Sequence, residues 1–182
     1  NRKIYYSTDI VERTRENVMK NFFNGKNIGL VYRRAVHKNV YGLTFLISEI
    51  IRADNYGDFS ALPNIAPLYI YHDDGTRTPN FNSDELAKLT KNLSVEYTPE
   101  DILDYIYAIL HSPSYREKYK EFLKIDFPRV PIIKSDAEFA RLVPLGKRLR
   151  ELHLMKASDI DNYDTTFPEA GDDTVDKIRF DG

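Results

Sequence analysis

The 182-residue sequence contains no cysteine. That removes disulfides, thiolate metal sites and cysteine nucleophiles together. It has no run of about 18 apolar residues, the minimum for a membrane-spanning helix. No secretory-leader pattern precedes its first strand-like segment, and a soluble, cytoplasmic protein is the expectation. Glycine-rich phosphate loops, Gly-x-Gly-x-x-Gly and the Walker type, are missing, as is Gly-x-Ser-x-Gly. The four histidines, His37, His72, His111 and His153, are scattered, so no set of metal ligands stands out. No catalytic residue and no metal site is expected in this chain.

What remains is a globular composition: 42% hydrophobic, 30% charged and 13% aromatic. The length suits one domain, or two small subdomains around one core, burying roughly 70% of the unfolded surface. The net charge of −2 conceals a gradient. Residues 1–52 carry ten Lys/Arg against four Asp/Glu, a surplus of +6. Residues 53–159 come to −3, and residues 160–182 to −5. A basic N-terminal third on a near-neutral chain is either an anion-binding face or a solvated helix face. The sequence opens at Asn1 in a strand pattern without Met and ends in a polar segment at Gly182, as expected of a piece of a longer protein.

Strand-like segments come first: 3–7, 28–36, 43–52 and 65–71, with a helical pattern at 11–23 closed by Gly25. The 43–52 run also fits a short helix. Pro67 places the start of its strand near a sheet edge, and His72-Asp73-Asp74-Gly75 signals a turn. Helices follow. Ser83 is expected to cap 84–92. Thr98-Pro99-Glu100-Asp101 combines a hydroxyl cap, Pro at the first position and acids in the first turn. Ser112-Pro113 stops that helix and starts the next, which runs to about Lys124. Two prolines make 126–131 extended. Ser135-Asp136-Ala137-Glu138 is a capping box, opening a helix to about Leu152. Strands before helices, without βαβ alternation, predict an α+β fold: a mixed sheet in the N-terminal half, then a helical C-terminal half. The expected division is a β-rich subdomain 1–81, a helical support 82–155 and an acidic tail 156–182.

The chemistry-bearing candidates are basic. Tyr32, Arg33, Arg34, His37 and Lys38 follow an apolar strand start. Arg13, Arg15 and Lys26 lie just before it, and Arg52 ends the next strand. Guanidinium groups grip phosphates and read guanine edges, and tyrosines can stack on bases. Strand alternation sends Arg33 and Arg34 to opposite faces, so one of them can instead pair with Glu12, Glu16 or Glu49. Asp73-Asp74 could hold Mg²⁺ but has ordinary turn composition. A nuclease centre built from an acid and an acid-x-Lys pair is missing; Glu117-Lys118 lacks the intervening residue. His111 and His153 fall in last helical turns, where a cation complements the dipole. Tyr105, Tyr107, Tyr115 and Tyr119 at helical spacing read as core or as a subdomain interface.

The string at 99–133, Pro-Glu-Asp-Ile-Leu-Asp-Tyr-Ile-Tyr-Ala-Ile-Leu-His-Ser-Pro-Ser-Tyr-Arg-Glu-Lys-Tyr-Lys-Glu-Phe-Leu-Lys-Ile-Asp-Phe-Pro-Arg-Val-Pro-Ile-Ile, resembles the C-terminal specificity region of single-chain Type ISP restriction–modification enzymes and related adenine-specific DNA methyltransferases. Asn1–Tyr6, Ile28-Gly29-Leu30-Val31, Pro67-Leu68-Tyr69-Ile70-Tyr71, Arg77–Asn82 and Leu145–Leu154 agree with it. The resemblance covers most of 1–155. It implies a non-catalytic target-recognition domain that binds double-stranded DNA. An upstream methyltransferase domain of the same chain, using S-adenosylmethionine, would flip and methylate the adenine. That domain's Asn-Pro-Pro-Tyr-type motif and cofactor loop do not occur here, so no cofactor is expected in this segment. A protein-interaction or coupling module is the alternative reading.

Overall fold

The computed structural model describes residues 16–23, 26–34, 44–48, 64–162, 171, 172 and 174. The expected strand 3–7, the start of the 11–23 helix, Gly25 and most of the acidic tail lie outside them. So do the candidates Arg13, Arg15, His37, Lys38 and Arg52.

A short helix α1 (Glu16–Met19) runs into a 3₁₀ turn (Lys20–Phe22). Three strands follow: β1 (Gly29–Tyr32), β2 (Thr44–Ile47) and β3 (Asn64–Pro67). They form an antiparallel sheet in the order β2-β1-β3, with Leu30 opposite Leu46 and Ala66. The ambiguous 43–52 run is therefore a strand where described. The expected single strand at 65–71 is two. Its first part closes β3 at Pro67. Leu68 then donates to Ile28 O and accepts from Asn80 N, and the chain continues as β4 (Tyr69–Tyr71), paired antiparallel with β5 (Arg77–Pro79). The hairpin turn is where His72-Asp73-Asp74-Gly75 places it. Gly75 has φ +84°, and Asp74 Oδ1 accepts from Thr76 N and Oγ1.

Alternation along β1 buries both faces of the sheet. Val31 faces Met19, Phe22 and Ile47. Leu30 packs on the opposite cluster, where Leu46, Leu68, Tyr69, Leu103 and Tyr107 come together. The fold is thus α+β as expected, with two small antiparallel sheets among the described residues.

The helical half comprises α2 (Ser83–Thr90), α3 (Pro99–His111), α4 (Pro113–Lys118), α5 (Lys120–Leu123) and α6 (Asp136–His153). Thr98 forms a complete capping box with Asp101 and Pro99 sits in the first turn. Ser112 ends α3 and caps α4. Three details differ from expectation. Asn82, one residue early, caps α2, because its Oδ1 reaches both Asp84 N and Glu85 N. The helix to Lys124 breaks at Tyr119. Ser135 does accept from Glu138 N, but the Glu138 carboxylate takes Lys134 N instead of the cap's own amide.

α3 is the centre of the core. Its Ile102 and Tyr105 meet Phe139 and Ile133, and Leu110 meets Tyr115 and Leu123. Each fully buried side chain of this size is worth about 1.5–3 kcal/mol. α3 and α6 run in the same direction and form the largest interface between described elements. Gly146 makes the close approach possible: a Cβ there would lie 1.8 Å from Asp104 O. Beside it, buried Asp104 takes a two-pronged grip from Arg150 at 2.6 and 2.9 Å. Burial pushes the Asp104 carboxyl up, and the guanidinium opposes that push. No described helix is long and apolar enough to cross a membrane.

Candidate nucleic-acid interface

β1 delivers three of the predicted residues to its C-terminal end. Tyr32 is half-buried and its ring meets Phe127 at 5.8 Å between centroids. Arg33 is only 5% exposed, whereas the Arg34 side chain is 70% exposed. Both lie just past the end of β1, and of the pair only Arg34 belongs to the open surface. Arg34 Nε lies 4.0 Å from Asp126 Oδ1, a carboxylate far along the chain; Glu12 and Glu49, two of the expected partners, lie outside the described residues. Lys26 is exposed but precedes β1, so the strand separates it from Arg34.

Around Asp126 the structure adds residues absent from the predicted set. Arg129 Nη2 lies 3.7 Å from Asp126 Oδ2, with its side chain 79% exposed. Its guanidinium sits 5.1 Å from the centre of the Phe122 ring, and its carbonyl accepts from Tyr115 Oη at 2.9 Å. Pro128 and Pro131 keep the surrounding backbone extended. The signal in the sequence was an Arg between two prolines; its proximity to Arg34 was not readable.

A second cluster lies on the hairpin. Arg77 stacks its guanidinium 3.9 Å above the Tyr69 ring, while Tyr69 Oη donates to both Glu100 carboxylate oxygens at 2.9 Å. Burial first, then this bond, pushes the Tyr69 phenol up to about 12.

The remaining candidates are structural. Asp73 and Asp74 are exposed turn residues. His72 Nε2 pairs with Thr78 Oγ1 at 3.0 Å. His111 is not a dipole-complementing cation: burial lowers its pKa to about 4, and its Nδ1 lies 3.0 Å from Tyr107 O. His153 Nδ1 meets Tyr107 Oη at 2.5 Å. Tyr105, Tyr107 and Tyr115 are core, and Tyr119 is partly exposed. Among the described residues no group of three or more His, Asp or Glu could hold a metal ion.

The family model described as the Type ISP C-terminal specificity domain matches residues 1–182, and the chain belongs to that family. The resemblance read from 99–133 is borne out. No curated protein sequence matches. Among solved structures, a cryo-EM structure of a DrdV–DNA complex aligns with a TM-score of 0.65 and 24% identity, over 83% of this chain and 14% of that one. That likeness is one of fold. A nuclease-deletion mutant of the Type ISP restriction-modification enzyme LlaGI, in complex with a DNA substrate mimic, aligns with a TM-score of 0.47 and 25% identity, over 71% of this chain and 10% of that one. The chain therefore spans a small fraction of either protein's length.

Proposed function

We propose that this chain is the DNA target-recognition domain of a restriction–modification enzyme. The observation that carries the reading is the specificity-domain match along the whole chain. The exposed Arg34 and the aromatic residues beside it supply the groups such a domain needs: cations for phosphates and rings for bases. The domain adds no catalytic group and no cofactor of its own. Its task is to choose the adenine that a methyltransferase domain of the same protein methylates at N6 with S-adenosylmethionine, in the cytoplasm.

Fluorescence anisotropy of the 182-residue chain with a labelled duplex tests this. The affinity should fall with salt at a slope near −0.9 per phosphate contacted. Salt-independent binding, or none at low ionic strength, removes the reading. In the parent enzyme, exchange of this domain for that of a relative with a different target should change which sequence is methylated.

A coupling role has one observation in its favour: Tyr119 and Ile125 are exposed, Ile125 at 72%. Tyr115 takes no part in such a face, since it is buried in the core. Loss of association with the rest of the enzyme in a Tyr119→Ala, Ile125→Ala double variant, with DNA binding intact, would establish that role.

A further inference from the structure

Arg34 and Arg129 come from opposite halves of the chain and converge on one carboxylate. They lie 4.0 and 3.7 Å from different oxygens of Asp126. Charge-assisted hydrogen bonds between guanidinium and carboxylate are about 2.7–2.9 Å long. Both contacts are well beyond that, so Asp126 balances part of the charge of the two arginines without occupying their N–H donors. Exposure of 70% and 79% leaves both guanidinium groups facing water. One carboxylate between two cations leaves the cluster with a net charge of +1.

Arg129 is also positioned in advance. Tyr115 Oη holds its carbonyl, the Phe122 ring lies beneath its guanidinium, and flanking prolines restrict the backbone. Holding a long side chain before the ligand arrives reduces the ordering cost of binding. Phe127, partly exposed and packed on Tyr32, joins the two arginine-bearing segments. Lys118 and Lys120 are exposed on α4 and α5, interspersed with Glu117 and Glu121, of which Glu121 is paired with Lys124 at 2.6 Å.

We infer that Arg34 and Arg129 form a two-pronged clamp on the DNA phosphate backbone, with Asp126 as the counter-charge that lies between them until phosphate takes its place. The inference rests on the DNA-recognition reading and adds to it that the helical half supplies a direct DNA contact. The clamp sets position on the duplex and carries no sequence information, so any duplex serves as the probe.

The test measures anisotropy of the 182-residue chain with a random-sequence duplex across a salt series, with thermal melts as fold controls. Arg34→Ala and Arg129→Ala should each make the salt slope shallower by about 0.9, and the double variant by about twice that. Arg129→Lys should keep the wild-type slope. Asp126→Asn should tighten binding about threefold, because a like charge roughly 7 Å from phosphate in water is removed. Unchanged slopes in both alanine variants, with wild-type binding intact, overturn the clamp and leave the recognition reading standing. The same holds if the alanine variants lose only association with the rest of the enzyme, which assigns the patch to a protein contact. No wild-type binding at low salt overturns both. If an alanine variant fails to fold, Asp126→Asn decides: tighter binding supports the clamp, and equal or weaker binding overturns it.

Discussion

The two halves of the molecule are held by different kinds of instruction. In the helical half the ends of the elements are set by neighbours in sequence. Thr98 Oγ1 accepts from Asp101 N at 3.2 Å, and Asp101 Oδ2 accepts from Thr98 N at 2.8 Å. In the N-terminal half the decisive bonds span long stretches of chain. Buried Asn27 donates to Tyr69 O at 2.7 Å and accepts from Tyr69 N at 3.2 Å, 42 residues away. Asn21 Oδ1 accepts from Tyr71 N, 50 residues away. Two asparagine side chains thus occupy the edge of β4 where a strand would otherwise lie. Local instructions can be read one segment at a time; long-range ones appear only when the chain is folded.

The largest effect is expected where the helical half departs from its own rule, at the pair joining α3 to α6. Asp104→Ala leaves the Arg150 guanidinium without its buried partner and should cost about 3–5 kcal/mol in urea unfolding. A loss under 1 kcal/mol would mean that local signals alone hold this half. Asn27→Ala exposes the contrast directly. It strands the Tyr69 amide and carbonyl and should cost about 2–3 kcal/mol. Hydrogen exchange should quicken in β1 and β4 while α3 and α6 amides stay protected; equal quickening in all four would show that the halves open as one. Thr98→Ala removes a purely local cap, worth about 1 kcal/mol, and should lower Tm by about 2–4 °C.

The last effect is pH-dependent. The folded pKa of His111, about 4, lies below its ordinary value of 6.5. The unfolded chain therefore takes up the proton first. The stability this residue contributes is complete above pH 6.5 and is lost as pH falls toward 4. Burial is the main cause, and the nearby Arg116 and His153 act in the same direction. Melting curves of His111→Gln should show a weaker pH dependence than wild type in that window.

The same division decides what was legible in the sequence. Caps at Thr98 and Ser112 and the extended stretch after Asp126 were readable because each depends on a few adjacent residues. The break at Leu68 was not, since it follows from bonds to Ile28 and Asn80. Burial defeated the cationic role expected of His111: the C-terminal turn of α3 faces the core and Tyr107, not solvent. At the interface, Arg33 and Arg34 do differ in exposure, one buried and one open, although both lie just past the end of β1. The partnership of Arg34 with Asp126 joins residues 92 positions apart, and nothing in either neighbourhood announces it.

Asn27 has a consequence for how the hairpin is held. A side-chain amide places an N–H donor and a carbonyl acceptor side by side, as a peptide group does at a strand edge, and its second N–H bonds Asn21 O. It docks the hairpin at a fixed register from a point before β1. The hairpin is thereby tied to the residues just before β1 by a side chain, where a sheet would ordinarily use another strand.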